Sequence, residues 1–162
     1  MITFDRGNLR FSYRVAGVAI HDGKVLLQKP VEGGFCFLPG GRAELQESAG
    51  ETLRREMQEE LHVDATIGRL LWVVENFFEH GGTTFHELGL YFLMAFADNS
   101  PVVDASRTIL VEEPDHKFIL QWYALDGLDS IQIYPSFLQT ALLVLPDGTE
   151  HIVHIDSKEE GN

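Results

Sequence analysis

Apolar and polar residues change rhythm several times along the chain. Phe11 to Ile20 is strand-like, and an Asp22-Gly23 turn leads into a second strand at Lys24-Val25-Leu26-Leu27-Gln28. The period then lengthens: Ala49, Leu53, Met57 and Leu61 recur at four-residue spacing, behind a capping box of Ser48 and Glu51, which predicts a helix from Ser48 to Leu61. Beyond it, Thr66 to Phe78 and Thr84 to Ala97 are rich in β-branched, leucine and aromatic residues and flank Gly81-Gly82, so they predict a long hairpin. Phe118 to Leu125 reads as a further strand. Pro135 to Leu145 reads as a second helix with proline in its first turn, and Asp147-Gly148 precedes a last strand at His151 to Ile155. Strands, a helix, more strands and a later helix define an α+β domain. The 162 residues make one domain, 1–162, of which the polar stretch 157–162 is expected to be a frayed tail.

Composition narrows the partners. A formal charge of −13 argues against a broad surface for DNA, RNA or anionic membrane, because backbone-phosphate binding rests on Lys and Arg. A small phosphorylated substrate stays compatible with it, provided metal ions supply the positive charge. The single cysteine, Cys36, cannot form an intramolecular disulfide and lies in the apolar run Phe35-Cys36-Phe37, which suits a packed strand residue in a reducing cytosol. The first residues lack an apolar signal-peptide core, and runs such as Phe92 to Ala97 are too short to span a bilayer. A soluble cytoplasmic protein is expected.

The predicted helix is also where the charge pattern is least expected. Glu56, Glu59 and Glu60 share one face, at the border of the Leu53 and Met57 stripe. Glu56 and Glu60 form an i,i+4 like-charge pair that costs roughly 0.2–0.5 kcal/mol on an exposed helix. Glu59 and Glu60 also sit in the last turn, where the helix dipole disfavours each by roughly 0.3–1 kcal/mol. A bound hard divalent cation (Mg2+, Mn2+ or Ca2+) would reverse both signs, whereas the plainer reading is a solvated acidic face with Arg55 paired to Glu59. Just upstream, Leu38-Pro39-Gly40-Gly41 forms a turn whose backbone can approach a ligand closely.

Together these residues resemble the signature of the Nudix hydrolase family, Gly-x5-Glu-x7-Arg-Glu-U-x-Glu-Glu-x-Gly-U, with U a bulky apolar residue. Gly41, Glu47, Arg55, Glu56, Met57, Glu59, Glu60 and Val63 fill its positions, and only the late glycine departs, being His62. His62 falls just past the helix, where a left-handed residue is favoured, so it reads as a slightly strained helix stop. Gln46 is a loop variation of the same motif.

The resemblance implies an α/β/α sandwich on a mixed sheet, and an enzyme that splits a nucleoside diphosphate linked to a group X into a nucleoside monophosphate and phosphorylated X, with Mg2+ or Mn2+. It assigns Glu56, Glu59 and Glu60 as metal-binding acids, with the backbone carbonyl of Gly40 or Gly41 as a further ligand. Arg55 would orient the carboxylates and Glu47 would anchor the loop or Arg55. Arg42 and Gly41 are the leading phosphate contacts, ahead of Arg14 and Lys29. The general base stays open among Glu56, Glu87, Glu112 and Glu113. Phe77, Phe78, Phe85, Tyr91 and Trp122 could stack a base, although strand aromatics are more often core. His86, His151 and His154 show no zinc-site spacing. Two further readings stay open: a nucleotide sensor on the same fold without turnover, and a prenyl-diphosphate isomerase, which would need cysteine chemistry that Cys36 is poorly placed to supply. The substrate could be a nucleoside triphosphate, ADP-ribose, a nucleotide sugar, a dinucleoside polyphosphate or, least in keeping with the charge, capped RNA. The apolar hairpin from Thr66 to Ala97 offers a surface for a homodimer.

Overall fold

Val25, Leu26 and Leu27 are consecutive and all buried, because the strand that carries them is covered on both faces: Val25 and Leu27 enter one apolar cluster and Leu26 enters another. The same division holds for Ala16 and Val18 against Val15 and Ala19. These facts come from a computed structural model that describes residues 1–156, so the tail expected at 157–162 lies outside the described residues.

The strands are β1 (Thr3–Arg6), β2 (Leu9–Val18), β3 (Ile20–His21), β4 (Lys24–Pro30), β5 (Gly40–Arg42), β6 (Thr66–His80), β7 (Thr83–Ala95), β8 (Ile109–Glu112), β9 (Lys117–Ala124) and β10 (Glu150–Ile155). They build two sheets. One runs β1-β2-β7-β6-β10, with β5 added to β2; the other runs β3-β4-β9-β8. The pairs β2–β7 and β6–β10 are parallel and the other ladders antiparallel, which is the mixed-sheet α+β architecture expected from the element order. One helix, α1 (Ala49–Leu61), packs Leu53, Met57 and Leu61 into the cluster that holds Leu26. The other cluster is covered by a 3-10 turn at Leu125–Ser130, through Leu128, and by the short α2 (Leu138–Ala141), through Leu138.

Local chemistry explains α1 at both ends. The Glu51 amide donates to Ser48 Oγ at 3.4 Å, and the Ser48 amide donates to Glu51 Oε2 at 2.8 Å, completing the capping box. His62 takes the left-handed conformation (φ 56°, ψ 35°) and donates its amide to the Gln58 carbonyl, as a helix stop should. The long hairpin is also present, turning at Gly81 (φ 57°) and Gly82 (φ 78°), the two positive values that a tight type I′ turn needs.

Three differences have physical causes. The second helix shrinks from the expected Pro135–Leu145 to four residues, and Pro135 lies before it. Leu138 and Leu142 are buried one turn apart while Leu143 and Val144 are 52% and 82% exposed, so the apolar run holds only one turn against the core. Secondly, β5 has no strand propensity: Gly40, Gly41 and Arg42 are extended because β2 pairs with them, Ala16 to Gly40 and Arg14 to Arg42. Thirdly, the place of the Thr66–Ala97 hairpin in its sheet, which the sequence pattern left open, is interior. β6 pairs with β10 and β7 with β2, so both its margins are used within the chain.

Candidate active site

The opening of the two sheets forms one cavity of about 730 Å³, lined by residues of β2, β4, β5, α1, β6 and β7 and by the segments around Phe35, Glu113 and Tyr134. Its carboxylate end rests on Arg55. That guanidinium donates Nε to Glu47 Oε1 (2.8 Å), Nη2 to Glu47 Oε2 (3.1 Å) and to the Arg42 carbonyl (3.1 Å), and Nη1 to Glu56 Oε1 (2.7 Å) and Glu59 Oε2 (3.2 Å). The planar fork suits this task, since one rigid group ties the loop after β5 to the middle of α1. Glu47 also accepts from Thr52 Oγ1 and the Glu44 amide. Arg55, opposing burial, and these donors hold its carboxyl down at about 2.

Glu56 and Glu60 project from α1 into the cavity. Burial raises the Glu56 carboxyl despite Arg55 beside it. Burial also pushes Glu60 up to about 8, helped by the neighbouring charges of Glu56 and Glu113. Glu60 Oε2 is buried and has no hydrogen-bond partner. Gly41 makes the close approach feasible: a Cβ there would lie 2.1 Å from Glu56 Cδ. Gly40 is needed for another reason, because its φ is +150° and a Cβ would lie 2.1 Å from the Val15 carbonyl oxygen. The Gly40 carbonyl itself accepts from Arg14 Nη2 at 3.3 Å, and the same Nη2 reaches the Leu38 carbonyl at 3.2 Å.

The structure therefore brings together Glu56, Glu60, Gly40, Gly41, Arg42 and Arg14 at one wall, with Glu87 and Glu113 also in the lining. Glu59 stands apart, 61% exposed and paired with Arg55. Among the described residues no three His, Cys, Asp or Glu side chains converge as a preassembled metal site. Of the four base candidates, Glu112 ends β8 in an ion pair with Lys117 and is outside the lining, whereas its neighbour Glu113 faces Glu60. Glu87 accepts from Ser12 Oγ at 3.3 Å.

Aromatic candidates divide in the same way. Phe78 and the buried Tyr91 line the cavity. Phe85 stacks on Phe78 outside the lining, Phe77 stacks on His86, and Trp122 donates to the Val102 carbonyl while packing against the α1 side of the core. Lys29 is likewise outside the lining. His151 pairs with Glu75, and His154 with Asp156. Sequence reasoning missed Gln28, Phe35, Phe37, Asn76 and Tyr134, all of which line the cavity. Phe35 meets Tyr134 edge-on at 4.8 Å, and Phe37 meets Phe118 edge-on at 5.6 Å. The one available signal was the run Phe35-Cys36-Phe37 directly before the glycine loop, in which Cys36 is buried and its neighbours turn to the cavity.

A NUDIX domain family model matches residues 12–140, which carry the whole of this wall and all of the cavity lining except Met1 and Asp156. The chain belongs to the NUDIX domain family. A stretch of 58 residues is 41% identical to the CTP pyrophosphohydrolase of Escherichia coli (strain K12), covering 33% of this chain and 43% of that relative, less than half its length. Among solved structures, the MutT NUDIX hydrolase from Burkholderia pseudomallei superposes with a TM-score of 0.60 at 26% identity, over 80% of this chain and 95% of that one. An ADP-ribose pyrophosphatase from Streptococcus suis 89-1591 superposes with a TM-score of 0.56 at 15% identity, over 88% and 98%, a likeness of fold alone.

Enzymes of this family generally use divalent metal ions, and the donor set here suits a hard one. It is all oxygen, and the partnerless Glu60 Oε2 is buried next to Glu56. Among the described residues no helix is long and apolar enough to cross a membrane.

Proposed function

We propose that this chain is an Mg2+- or Mn2+-dependent pyrophosphohydrolase that cleaves the phosphoanhydride of a small nucleoside diphosphate derivative, giving a nucleoside monophosphate and a phosphorylated group. The buried, partnerless oxygen of Glu60 supports this reading most strongly, because a carboxylate left in that state costs stability unless a cation or proton completes it. Glu56 and Glu60 would hold the metal ion, with Glu59, whose Oε2 is paired with Arg55, and the Gly40 carbonyl, which also accepts from Arg14, as further oxygen donors. Bound there, the ion supplies charge neutralisation at the phosphates and lowers the pKa of an attacking water.

The remaining work falls to this chain's own groups. Arg55 fixes the Glu56 carboxylate through Nη1 while Glu47 fixes Arg55, so the acid does not reorganise when charge develops. Arg42 and Arg14 stand where they can meet phosphate oxygens. Glu113 is the preferred general base because it lies directly beside Glu60 in the cavity lining, ahead of Glu87, which is engaged by Ser12. Phe35, Phe37 and Phe78 offer faces to a base. A cytoplasmic location belongs to the same proposal and is supported by the free, buried Cys36. A homodimer would use a face of the β6–β7 hairpin rather than its margins, a point that sedimentation tests directly.

The reading is tested by following nucleoside monophosphate release from nucleoside triphosphates, ADP-ribose, nucleotide sugars and dinucleoside polyphosphates, with Mg2+ or Mn2+ and with chelator. Metal-dependent release from at least one class is expected. Tight nucleotide binding without release from any of them would replace the enzyme with a sensor.

A further inference from the structure

The six-stranded sheet has two faces, and one of them is only half covered. Along β7, Glu87 and Tyr91 line the cavity, so the alternate positions His86, Leu88 and Leu90 point to the opposite, outer face. Further along that face, Phe92 and Met94 pack into the cluster held by α1. The other half is different. Strand register carries a row across five strands, from Phe4 to Phe11, His86, Phe77 and Ile155, in which Phe4 stacks on Phe11 at 5.2 Å and Phe77 on His86 at 4.5 Å. A second row runs from Tyr13 through Leu88 and Glu75 to Val153, and a third adds Leu90 and Val73. Among the described residues, Phe4, Phe11, Phe77, Leu88, Val153 and Ile155 enter neither apolar cluster, and Phe4, Val153 and Ile155 are 63%, 60% and 72% exposed. A solvated sheet face ordinarily carries polar residues, so contiguous apolar rows mark an interaction surface.

Size, charge and shape point to the occupant. Five strands about 4.8 Å apart and three rows about 6.8 Å apart span a plane of about 24 by 20 Å, on the order of 500 Å² per copy and of 1,000 Å² when two copies meet. That reaches the roughly 1,000 Å² that a specific interface needs. Glu75 is the one carboxylate in these rows, and its Oε2 already lies 2.9 Å from His151 Nε2. Two copies of a chain of formal charge −13 can therefore meet here without opposing bare acids. β7 is central in the order β1-β2-β7-β6-β10, so a two-fold axis along it lays the ring-bearing β1–β2 end of one copy over the aliphatic β10 edge of the other. Large side chains then meet small ones in an aligned sheet-on-sheet packing.

We propose that the outer face of the six-stranded sheet, centred on Leu88 of β7, is the interface of a two-fold symmetric homodimer. The cavities lie on the opposite faces of the two sheets and stay open. The inference fixes the face that a homodimer uses; it goes beyond the hydrolase reading and does not rest on it.

Sedimentation equilibrium on the full chain tests it, with Phe4→Glu and Val153→Glu as the disrupting variants and Val144→Glu, beside α2 and 82% exposed, as the control. The wild type and the control are expected to dimerise with a micromolar or tighter dissociation constant. Each disrupting variant is expected to raise that constant about tenfold or more, since the two-fold brings every new carboxylate into the interface twice. All three positions are exposed, and circular dichroism verifies the fold; if one disrupting variant does not fold, the other and the wild type decide. A wild type that stays monomeric overturns the inference and leaves the face to a different partner. A dimer that persists unweakened in a folded disrupting variant overturns it as well. Nucleotide hydrolysis by the same preparations is expected to be unchanged, and its absence in all of them would count against the hydrolase reading alone.

Discussion

The carboxylate end of the cavity is drawn mainly from one short stretch, residues 40–60, joined by Arg14 and Glu113, whereas the aromatic and amide end is gathered from β4, β6 and the segments around Phe35 and Tyr134. The first end is held by charge: Arg55 alone makes five hydrogen bonds, linking Glu47, Glu56, Glu59 and the Arg42 carbonyl. The second is held by ring packing. Fixed charge suits a reaction in which charge develops at a constant place. Aromatic side chains lining a cavity suit recognition, where an occupant is distinguished by its shape and by what it stacks on.

Perturbing the charged end should break the reaction and spare binding. Glu56→Gln removes a half-buried carboxylate while keeping its shape, and turnover is expected to fall on the order of 10³-fold with the far-UV spectrum unchanged. Arg55→Ala releases Glu47 and Glu56 together; a loss of about 10²-fold is expected in kcat, and Arg55→Lys should recover little, since an ammonium cannot span the same partners.

The pH dependence of stability separates the two carboxyls tied into this end. Glu60 is raised from 4.5 to about 8, so its contribution is fully present below pH 4.5 and is lost as pH rises through 8. In chelator, Glu60→Gln should therefore be more stable than wild type at pH 9, by about 2 kcal/mol, and equal to it near pH 4.5 in denaturant titrations. Glu47, lowered to about 2, behaves oppositely: its contribution is present above 4.5 and lost as pH falls through 2. The smallest expected effect is that of Gly41→Ala, whose Cβ would displace the Glu56 carboxylate; about a tenfold loss of activity is expected, with Gly148→Ala, which meets nothing within 4 Å, unchanged.

The same contrast explains what could be read from the amino-acid sequence. Glu56, Glu60, Arg55, Glu47, Gly40 and Gly41 were legible because helix periodicity, a capping box and a glycine turn relate residues that are close in the chain. Even there, spacing could not say that Glu59 would point to solvent, since that depends on which carboxylate Arg55 draws outward. Glu112 and Glu113 were indistinguishable as neighbours in a polar stretch. The β8–β9 register separates them, pairing Glu112 with Lys117 and leaving Glu113 to the turn that faces α1. Asn76 and Gln28 left no trace, because a single amide inside an apolar strand gains meaning only when another sheet is laid against it. β5 was hidden for a related reason: two glycines and an arginine become a strand by pairing with β2, not by propensity.

The division of labour between the two ends is tested most directly by Glu60→Gln, measured for turnover of its best nucleotide and for metal-free binding of the corresponding monophosphate in the same preparation. Turnover lost on the order of 10³-fold, with monophosphate affinity within about threefold of wild type, is the expected result. Turnover that survives the substitution, or affinity lost in step with turnover, would contradict it.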